Sequence, residues 1–277
     1  MTQERRPEPT QRVACIARRH DATAPGARSL PEETPVAFTY GGSTHAVMMA
    51  TPADFEDFAV GFALTEGLID APEDAGEIDV VASDLGVELR CWLGGARQTA
   101  YAERRRTMAG PTGCGLCGIE SLAEASRPLS RLDNALRVPS NALIEAMARL
   151  PALQKLNQET RAVHAAAFWN VATGAMVARE DVGRHNALDK LAGALARQNI
   201  AASQGVVLMT SRISVELVQK AARIGAPVIV AVSAPTALAV RTAQDCGMTL
   251  VAVMRGRDYE IFTHPERILE QASTHVA

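Results

Sequence analysis

The second half of the chain carries the clearest pattern of apolar and polar segments. Two strand-like stretches, 164–171 and 175–179, flank a Thr173-Gly174 turn and predict a β-hairpin. Apolar segments typical of strands then alternate with segments in which apolar residues recur at helical spacing. The predicted strands are 205–210, 227–233 and 248–254, and the predicted helices are 186–198, 213–224 and 235–246. This order predicts an α/β sandwich with a largely parallel sheet.

The first half of the chain predicts a smaller unit that begins with a hairpin and a helix. Segments 34–40 and 45–49 are typical of strands, and Gly41 and Gly42 form the turn between them. Residues 51–54 have the cap, proline and acid spacing of a helix start, with Thr51 as the expected N-cap. The apolar stripe of this helix is predicted to consist of Phe55, Phe58, Ala59 and Phe62.

These patterns divide the chain into four segments. Residues 1–20 are polar and rich in arginine and proline, so we expect a disordered tail. Residues 21–110 are predicted to form a small α/β domain, and residues 119–277 a larger α/β domain. Between them, the segment 111–118 is dominated by glycine and cysteine and is predicted to be a mobile loop.

The composition excludes several classes of protein. Apolar residues make up 47% of the 277 residues, which is enough for a hydrophobic core. The 28 Lys and Arg against 31 Asp and Glu leave a net charge of −3, whereas non-specific nucleic-acid binding needs a basic surplus. The longest apolar run, 228–232, is far shorter than the ~20 residues that cross a bilayer. Because the N-terminus also lacks the apolar segment of a signal peptide, we expect a cytoplasmic protein.

The five cysteines include one close pair, Cys114 and Cys117, surrounded by glycines. A thiolate is a strong nucleophile, and two thiols three residues apart can both reach one sulfur atom. A helix is predicted to begin near Ile119, and its N-terminus would favour the thiolate form of Cys117. We therefore interpret the loop as a device that handles sulfur.

Three other interpretations of the cysteine pair are considered. A structural zinc site needs four ligands, usually two such pairs, and the chain has only one pair. A thioredoxin-like dithiol site would lie between a strand and a helix of an early βαβ unit. The two cysteines could also have no chemical role. We expect no bound metal.

A second set of candidate residues lies at predicted strand ends and helix starts. Because ligands gather at the carboxyl ends of parallel strands, these side chains are expected to converge on one sheet edge. Hydroxyls, free helix N–H groups and arginine forks suit an anion such as a phosphate, although each residue could equally be an ordinary cap or a solvated side chain. The candidates are Arg184, His185, Ser211, Arg212, Ser233, Thr236, Arg255 and Arg257.

Several segments together resemble the FdhD family, the accessory sulfurtransferases of formate dehydrogenase. They are AVGFALTEGLI, TGCGLCG, REDVGRHNALDK, SRISVELVQKA, SAPTALAV and THPER, in the family's order. The resemblance extends from about Glu32 to Arg267. The chain departs from the family pattern at 161–163 and at 210–211, next to a His and an Arg that it retains.

The resemblance implies a sulfur carrier with a cytidine-deaminase-like C-terminal domain in three α/β layers. Such a carrier takes persulfide sulfur from a cysteine desulfurase and passes it to the molybdenum (or tungsten) cofactor, bis-molybdopterin guanine dinucleotide, before insertion into formate dehydrogenase. The persulfide cysteine corresponds to Cys114, with Cys117 as an auxiliary thiol. The cofactor is cargo, GDP is its expected mimic, and a homodimer is expected. The implied cofactor-binding segment is Val253, Met254, Arg255, Gly256, Arg257 and Asp258.

Other functions fit the same residues. The zinc chemistry of deaminases needs His-x-Glu followed by Pro-Cys-x-x-Cys. The only His-x-Glu, at His264 to Glu266, follows the cysteines, so deaminase chemistry is not expected. A cofactor-binding chaperone without catalysis and a dithiol oxidoreductase are the alternatives to the sulfurtransferase.

Overall fold

A computed structural model describes residues 6–95, 99, 129–133 and 135–270. The strands are β1 (Thr10–Arg19), β2 (Ala22–Pro31), β3 (Thr34–Tyr40), β4 (Ser43–Ala50), β5 (Ile78–Ser83), β6 (Gly86–Cys91), β7 (Val138–Pro139), β8 (His164–Asn170), β9 (Met176–Asp181), β10 (Gly205–Met209), β11 (Val228–Ala231), β12 (Thr249–Arg255), β13 (Asp258–Thr263) and β14 (Ile268–Leu269). The α-helices of this part are α1 (Phe55–Thr65), α2 (Ser140–Leu153), α3 (Lys155–Thr160), α4 (Arg184–Arg197), α5 (Val215–Arg223) and α6 (Ala237–Cys246). None of these helices is long and apolar enough to cross a membrane.

The first unit is a four-stranded sheet, in the order β4-β3-β6-β5, with α1 packed against it. The predicted β3–β4 hairpin is confirmed. The predicted apolar stripe of α1 is also buried, and its phenylalanines pack on Phe38 of β3. The ring of Phe62 stacks on that of Phe38 with centroids 4.0 Å apart, and Phe58 meets Phe38 edge-on at 4.8 Å. Aromatic burial therefore fixes the helix on the sheet.

The predicted start of α1 is wrong by several residues. The helix begins at Phe55, and its N-cap, Asp54, has a left-handed backbone (φ 55°) and no side-chain capping bond. The three polar groups of Thr51 are instead used by the second half of the chain. Its N–H donates to Asp181 (3.0 Å), its carbonyl accepts from Lys190 (2.8 Å), and its hydroxyl accepts from the N–H of Val182 (3.1 Å).

The second unit is a six-stranded sheet in the order β13-β12-β11-β10-β8-β9. The predicted alternation of strands and helices is confirmed, but the prediction of a largely parallel sheet is wrong. Only β10–β11 and β11–β12 are parallel pairs, because hairpins extend the sheet at both ends. One of these hairpins contains β13, a strand that the sequence pattern did not predict.

Helices cover both faces of this sheet, which gives three layers. On one face, apolar side chains of α4, α5 and α6 pack with alternate residues of the strands, such as Val207 and Ile229. On the other face, α2 packs with the intervening residues, such as Val206 and Val228. The mixed α/β fold class is thereby confirmed, whereas the likeness to cytidine deaminases stays a prediction.

The predicted disordered tail is wrong for residues 10–19. These residues form β1, which pairs along its whole length with β2 through a two-residue turn at His20 and Asp21. Pairing satisfies the backbone groups although most of the side chains are exposed, so polarity alone misled the prediction. The domain boundary predicted at 110 and the loop 111–118 lie outside the described residues.

Helices α1 and α4 join the two units at very short range. A Cβ atom on Gly61 would lie 1.7 Å from the carbonyl oxygen of Asp189, and one on Gly193 would lie 1.8 Å from that of Asp57. Real Cβ atoms do not approach so closely, so glycine is required at both positions. The two helix backbones are therefore in direct contact.

Buried charges surround this helix contact. The ammonium of Lys190 lies 2.7 Å from the carboxylate of Asp181, and both side chains are fully buried. Asp57 accepts from Arg179 at 2.6 Å and from Arg197 at 2.5 Å. The pairs of Asp57 join α1 of the first unit to β9 and α4 of the second. Lys190 and Asp181 pair within the second unit, and both also bind the backbone of Thr51 in the first. They fix how the two units meet.

We expect Lys190→Met to destabilise the protein by roughly 3–5 kcal/mol, because it leaves Asp181 buried without its charged partner. The measurement is the free energy of unfolding in urea. Lys155→Met, at an exposed position, is the control and should change stability by less than about 0.5 kcal/mol. The double variant Asp181→Asn/Lys190→Met should recover part of the loss; equal stability of Lys190→Met and wild type would contradict the role of this pair.

Candidate functional site

The loops that follow β10, β11 and β12 meet at one edge of the six-stranded sheet, which we call the carboxyl edge. The N–H of Val232 donates to Met209 (3.1 Å), and the N–H of Val253 donates to Ser233 (3.5 Å). The N–H of Thr236 donates to the carbonyl of Ile213 at 2.9 Å. The structure thus brings Ser211, Arg212, Ser233 and Thr236 to the same edge, as expected for parallel strands.

The β8–β9 hairpin adds two further segments to the carboxyl edge. His164 begins β8 and pairs in register with Asp181 at the end of β9. The hydroxyl of Thr210 accepts from the N–H of Ala165 at 2.9 Å. His164 and Thr210 were not among the candidate residues, because their place beside β10 depends on an antiparallel pairing. The signal that could have identified His164 is its position as the first residue of a predicted strand.

The REDVGRHNALDK segment divides between structural and edge positions. Asp181 accepts from the N–H of Gly183 (2.8 Å) and from the amide of Asn186 (2.9 Å), and so caps the start of α4. Asp189 and Lys190 are fully buried in the contact with α1. From the sequence alone Asp189 and Lys190 could form a solvated helix face, and their burial shows that this interpretation is wrong. Arg184 and His185 lie half-buried at the carboxyl edge.

His185 is held by two groups at the start of α5. Its Nε2 lies 3.2 Å from the hydroxyl of Ser214 and 3.1 Å from the carboxylate of Glu216, and this hydroxyl donates to the same carboxylate at 3.0 Å. Burial, and then the neighbouring guanidinium of Arg184, lower the pKa of His185 below its usual range. The ring is therefore neutral at pH 7, and its orientation is fixed.

The starts of α5 and α6 differ in their suitability for an anion. Glu216 occupies the first turn of α5, where its negative charge already interacts with the positive end of the helix dipole. The first turn of α6 has no acidic residue, and Thr236 caps it by accepting from the N–H of Ala239 at 3.2 Å. The exposed α6 start is thus the better place for a phosphate.

Four arginines give the carboxyl edge its charge. Within the described part of the chain, none of them has a carboxylate at ion-pair distance. Arg212, Arg255 and Arg257 are exposed, and Arg184 is half-buried. Burial, and then the charge of Arg184, lower the pKa of His164, so this side chain adds no further positive charge at pH 7. The edge presents unpaired guanidinium groups, whose paired N–H donors match the geometry of phosphate oxygens.

The segment 253–258 is a hairpin turn rather than a loop after the last strand. β12 continues to Arg255, and β13 returns from Asp258, which pairs with Arg255. The register shifts between Ala252 and Arg255, where Val253 has a left-handed backbone (φ 55°). Met254 is buried in the core beneath α2, so it cannot contact a ligand at the surface. Arg255, Gly256, Arg257 and Asp258 are exposed.

The cysteines of the described residues do not resemble a sulfur site. Cys91 is buried, and burial raises the pKa of its thiol to about 12. Burial also raises the pKa of Cys246. Cys15 is exposed on β1. Cys114 and Cys117 lie outside the described residues, and within these no cluster of three or more His, Cys, Asp or Glu side chains could hold a metal.

Comparisons with known proteins give one consistent result. The sequence pattern of the FdhD/NarQ family matches residues 31–269. A protein of Agrobacterium fabrum named sulfur carrier protein FdhD is 54% identical over 94% of this chain and 96% of its own length. A protein of the same name from Brucella abortus is 47% identical over 92% of this chain and 95% of its own. The crystal structure described as a formate dehydrogenase accessory protein, from Desulfotalea psychrophila, superposes with a TM-score of 0.71 at 25% identity, covering 94% of this chain and 99% of that one.

Proposed function

The chain belongs to the FdhD/NarQ family, and from this membership we propose that it is a sulfurtransferase that carries sulfur on Cys114 for the maturation of formate dehydrogenase. The observation that carries the proposal is the 54% identity, along nearly the whole chain, to a protein named sulfur carrier. The glycine-flanked cysteine pair supplies the reactive group that such a function needs. The protein would act in the cytoplasm, with formate dehydrogenase as the final recipient.

The proposed loading step conserves atoms and electrons without another reagent. The thiolate of Cys114 attacks the outer sulfur of a cysteine persulfide on the desulfurase. A new S–S bond forms on Cys114, the donor's S–S bond breaks, and the donor cysteine leaves as a thiolate. Cys117, three residues further along the sequence, would stabilise or resolve the loaded state. The high pKa of Cys91 makes it unsuited to this role.

The carboxyl edge is the proposed binding place of the cargo, the molybdenum cofactor with its two guanine dinucleotide arms. These arms carry several negative charges, and the edge offers unpaired arginines together with the free start of α6. Ser233 and Thr236 contribute hydroxyls, and Arg255 and Arg257 project from the β12–β13 turn. Arg184, His185 and Arg212 form the opposite side of the same edge. Ser211, beside Arg212, is buried, and its hydroxyl donates to the carbonyl of Arg212 at 2.9 Å.

Mass spectrometry after incubation with a cysteine desulfurase and cysteine tests the sulfur-carrying step. We expect the chain to gain the mass of one sulfur atom on the peptide that contains Cys114, and treatment with a thiol reductant should remove it. Cys15, which is exposed on β1, serves as the internal control and should stay unmodified. Cofactor binding without any sulfur gain would favour the chaperone, and a reversible Cys114–Cys117 disulfide alone would favour the oxidoreductase.

We expect Arg255→Ala to weaken the binding of GDP, used as a mimic of one dinucleotide arm. Losing one charge-assisted hydrogen bond should reduce affinity about ten- to a hundredfold in a calorimetric titration. Arg149→Ala is the matched control, because Arg149 lies on α2 and donates to Gly174, at the other end of the sheet. An unchanged affinity of the Arg255→Ala protein would remove this arginine from the site.

Self-association as a homodimer completes the proposal. It follows from the family resemblance, and sedimentation of the purified protein measures it directly. A dimer would present two carboxyl edges, one for each copy. The sulfur-loading experiment does not depend on this state.

A further inference from the structure

The hairpin of β1 and β2, residues 10–31, forms an arm that lacks a covering partner in the described structure. Nearly all of its side chains are exposed on both faces, including Ile16, which is 75% exposed. Val13 and Leu30 are exposed as well. An isolated two-stranded hairpin of this kind is at best marginally stable in water. Ten-residue strands give it a length of about 33 Å, so its far end can reach another molecule.

The arm is attached to the rest of the chain near its base. The guanidinium of Arg28 donates to the carbonyl of Thr160, at the end of α3, at 3.2 Å. The N–H of Glu32 donates to the carbonyl of Pro9 at 2.9 Å, which closes the base of the hairpin. The turn at His20 and Asp21 is exposed. These contacts fix the orientation of the arm at its base, and the rest of the arm remains accessible to another molecule.

The charge of the arm is strongly positive. It contains four arginines against one acidic residue, Asp21, which pairs weakly with Arg18 at 3.3 Å. Within the described residues, Arg12 and Arg19 have no carboxylate at ion-pair distance. The arm therefore combines exposed aliphatic side chains with unpaired positive charge, a combination that favours an acidic, partly apolar partner surface.

The chain itself contains a surface with the complementary properties. Residues 66–88, here called the acidic edge, include eight Asp and Glu and no Lys or Arg. Glu66, Asp70 and Glu88 pair with Lys220, Arg223 and Arg90 of the same chain, so the exposed carboxylates of Glu73, Glu77 and Asp84 give the edge its negative charge. At its centre lies β5, which has β6 as its single neighbour in the described sheet and leaves its other side open. Leu85 and Trp92, at the two ends of β5, are 88% and 51% exposed. An open strand edge offers backbone groups for pairing with another strand.

Within one chain these two surfaces do not meet. No ion pair joins an arginine of the arm to residues 66–88 in the described structure, and the arm packs beside α3 instead. We propose that the arm of one copy docks along the acidic edge of a second copy, and that this exchange forms the homodimer. The inference rests on the self-association proposed above and is independent of sulfur transfer.

Charge reversal tests this docking by analytical ultracentrifugation. The triple variant Arg12→Glu/Arg18→Glu/Arg19→Glu should dimerise roughly ten- to a hundredfold more weakly than wild type. Glu77→Arg/Asp84→Arg, on the acidic edge, should do the same. An equimolar mixture of the two variants should form a heterodimer, because one arm and one acidic edge again have opposite charges. Arg149→Glu, on α2, is the control and should dimerise as wild type does.

Hydrogen exchange gives an independent measurement on the unmodified protein. Amides of β5 should become protected as concentration rises through the dissociation constant, together with amides on one edge of the arm. Circular dichroism of each variant checks that it is folded, and sulfur loading of the arm variant tests the sulfurtransferase separately. The proposal is overturned if wild type is monomeric, if the arm variant dimerises normally, or if mixing the variants restores no dimer.

Discussion

Cells that carry only the Cys114→Ala protein are expected to have no active formate dehydrogenase, while the variant itself stays folded. In the proposed mechanism the Cys114 sulfur forms the bond that holds the transferred atom. Among the described cysteines, Cys91 and Cys246 are unsuitable replacements, because both are buried with raised pKa values. Dehydrogenase activity in cell extracts is the measurement.

Two further variants make this experiment specific. Cys15→Ala removes an exposed thiol outside the predicted loop and should leave dehydrogenase activity unchanged. Cys117→Ala should reduce activity less than Cys114→Ala, because in the proposed mechanism the second thiol assists transfer and does not carry the sulfur. Normal activity with Cys114→Ala would rule out a persulfide at this position. Complete loss with Cys117→Ala, with sulfur still present on Cys114, would show that the second thiol is obligatory.

The second large effect is expected at Gly61, where α1 contacts α4. Alanine favours an isolated helix over glycine by about 1 kcal/mol, so helix propensity alone predicts that Gly61→Ala stabilises the protein. The structure predicts instead that Gly61→Ala destabilises the protein. The added Cβ would lie 1.7 Å from the carbonyl oxygen of Asp189 and 2.6 Å from the backbone nitrogen of Gly193, and backbone cannot move aside as a side chain can.

We expect Gly61→Ala to cost more than about 4 kcal/mol in the free energy of unfolding, in the range of severe overpacking. Separating the helices would also strain the ion pairs of Asp57 with Arg179 and Arg197. Urea denaturation followed by circular dichroism measures the loss. Gly94→Ala is the control, because a Cβ there meets no atom of the described residues within 4 Å and the backbone is not left-handed. Equal midpoints for Gly61→Ala and wild type would show that the helices can separate freely.

Local patterns predicted a large part of the fold. The hairpins β3–β4 and β8–β9 follow from strand-like segments around glycine-containing turns, which are short-range signals. The order of strands and helices after residue 205 follows from short apolar runs separated by helical periodicity. Each of these features depends on residues close together in the sequence, so the sequence contains the necessary information.

Residues predicted to lie at the carboxyl edge do lie there where the parallel order of the strands determines their position. Ser211, Arg212, Ser233 and Thr236 lie together because parallel strands bring their carboxyl ends to one side. The error at Met254, which is buried, has a local cause: a bulge in β12 turns the chain into the unpredicted β13. Whether these side chains bind a nucleotide stays a prediction.

The sequence by itself determined the family, the cysteine pair, the succession of strands and helices, and the set of polar residues at strand ends. Only the tertiary structure decided which of those polar residues are buried. Thr51 does not cap its helix because groups about 130 residues away in the chain, on Asp181 and Val182, bind it instead. Asp189 is buried against α1 rather than solvated, because two glycines let the helices touch. Such pairings depend on distance in space, and a linear pattern of polar and apolar residues does not encode that distance.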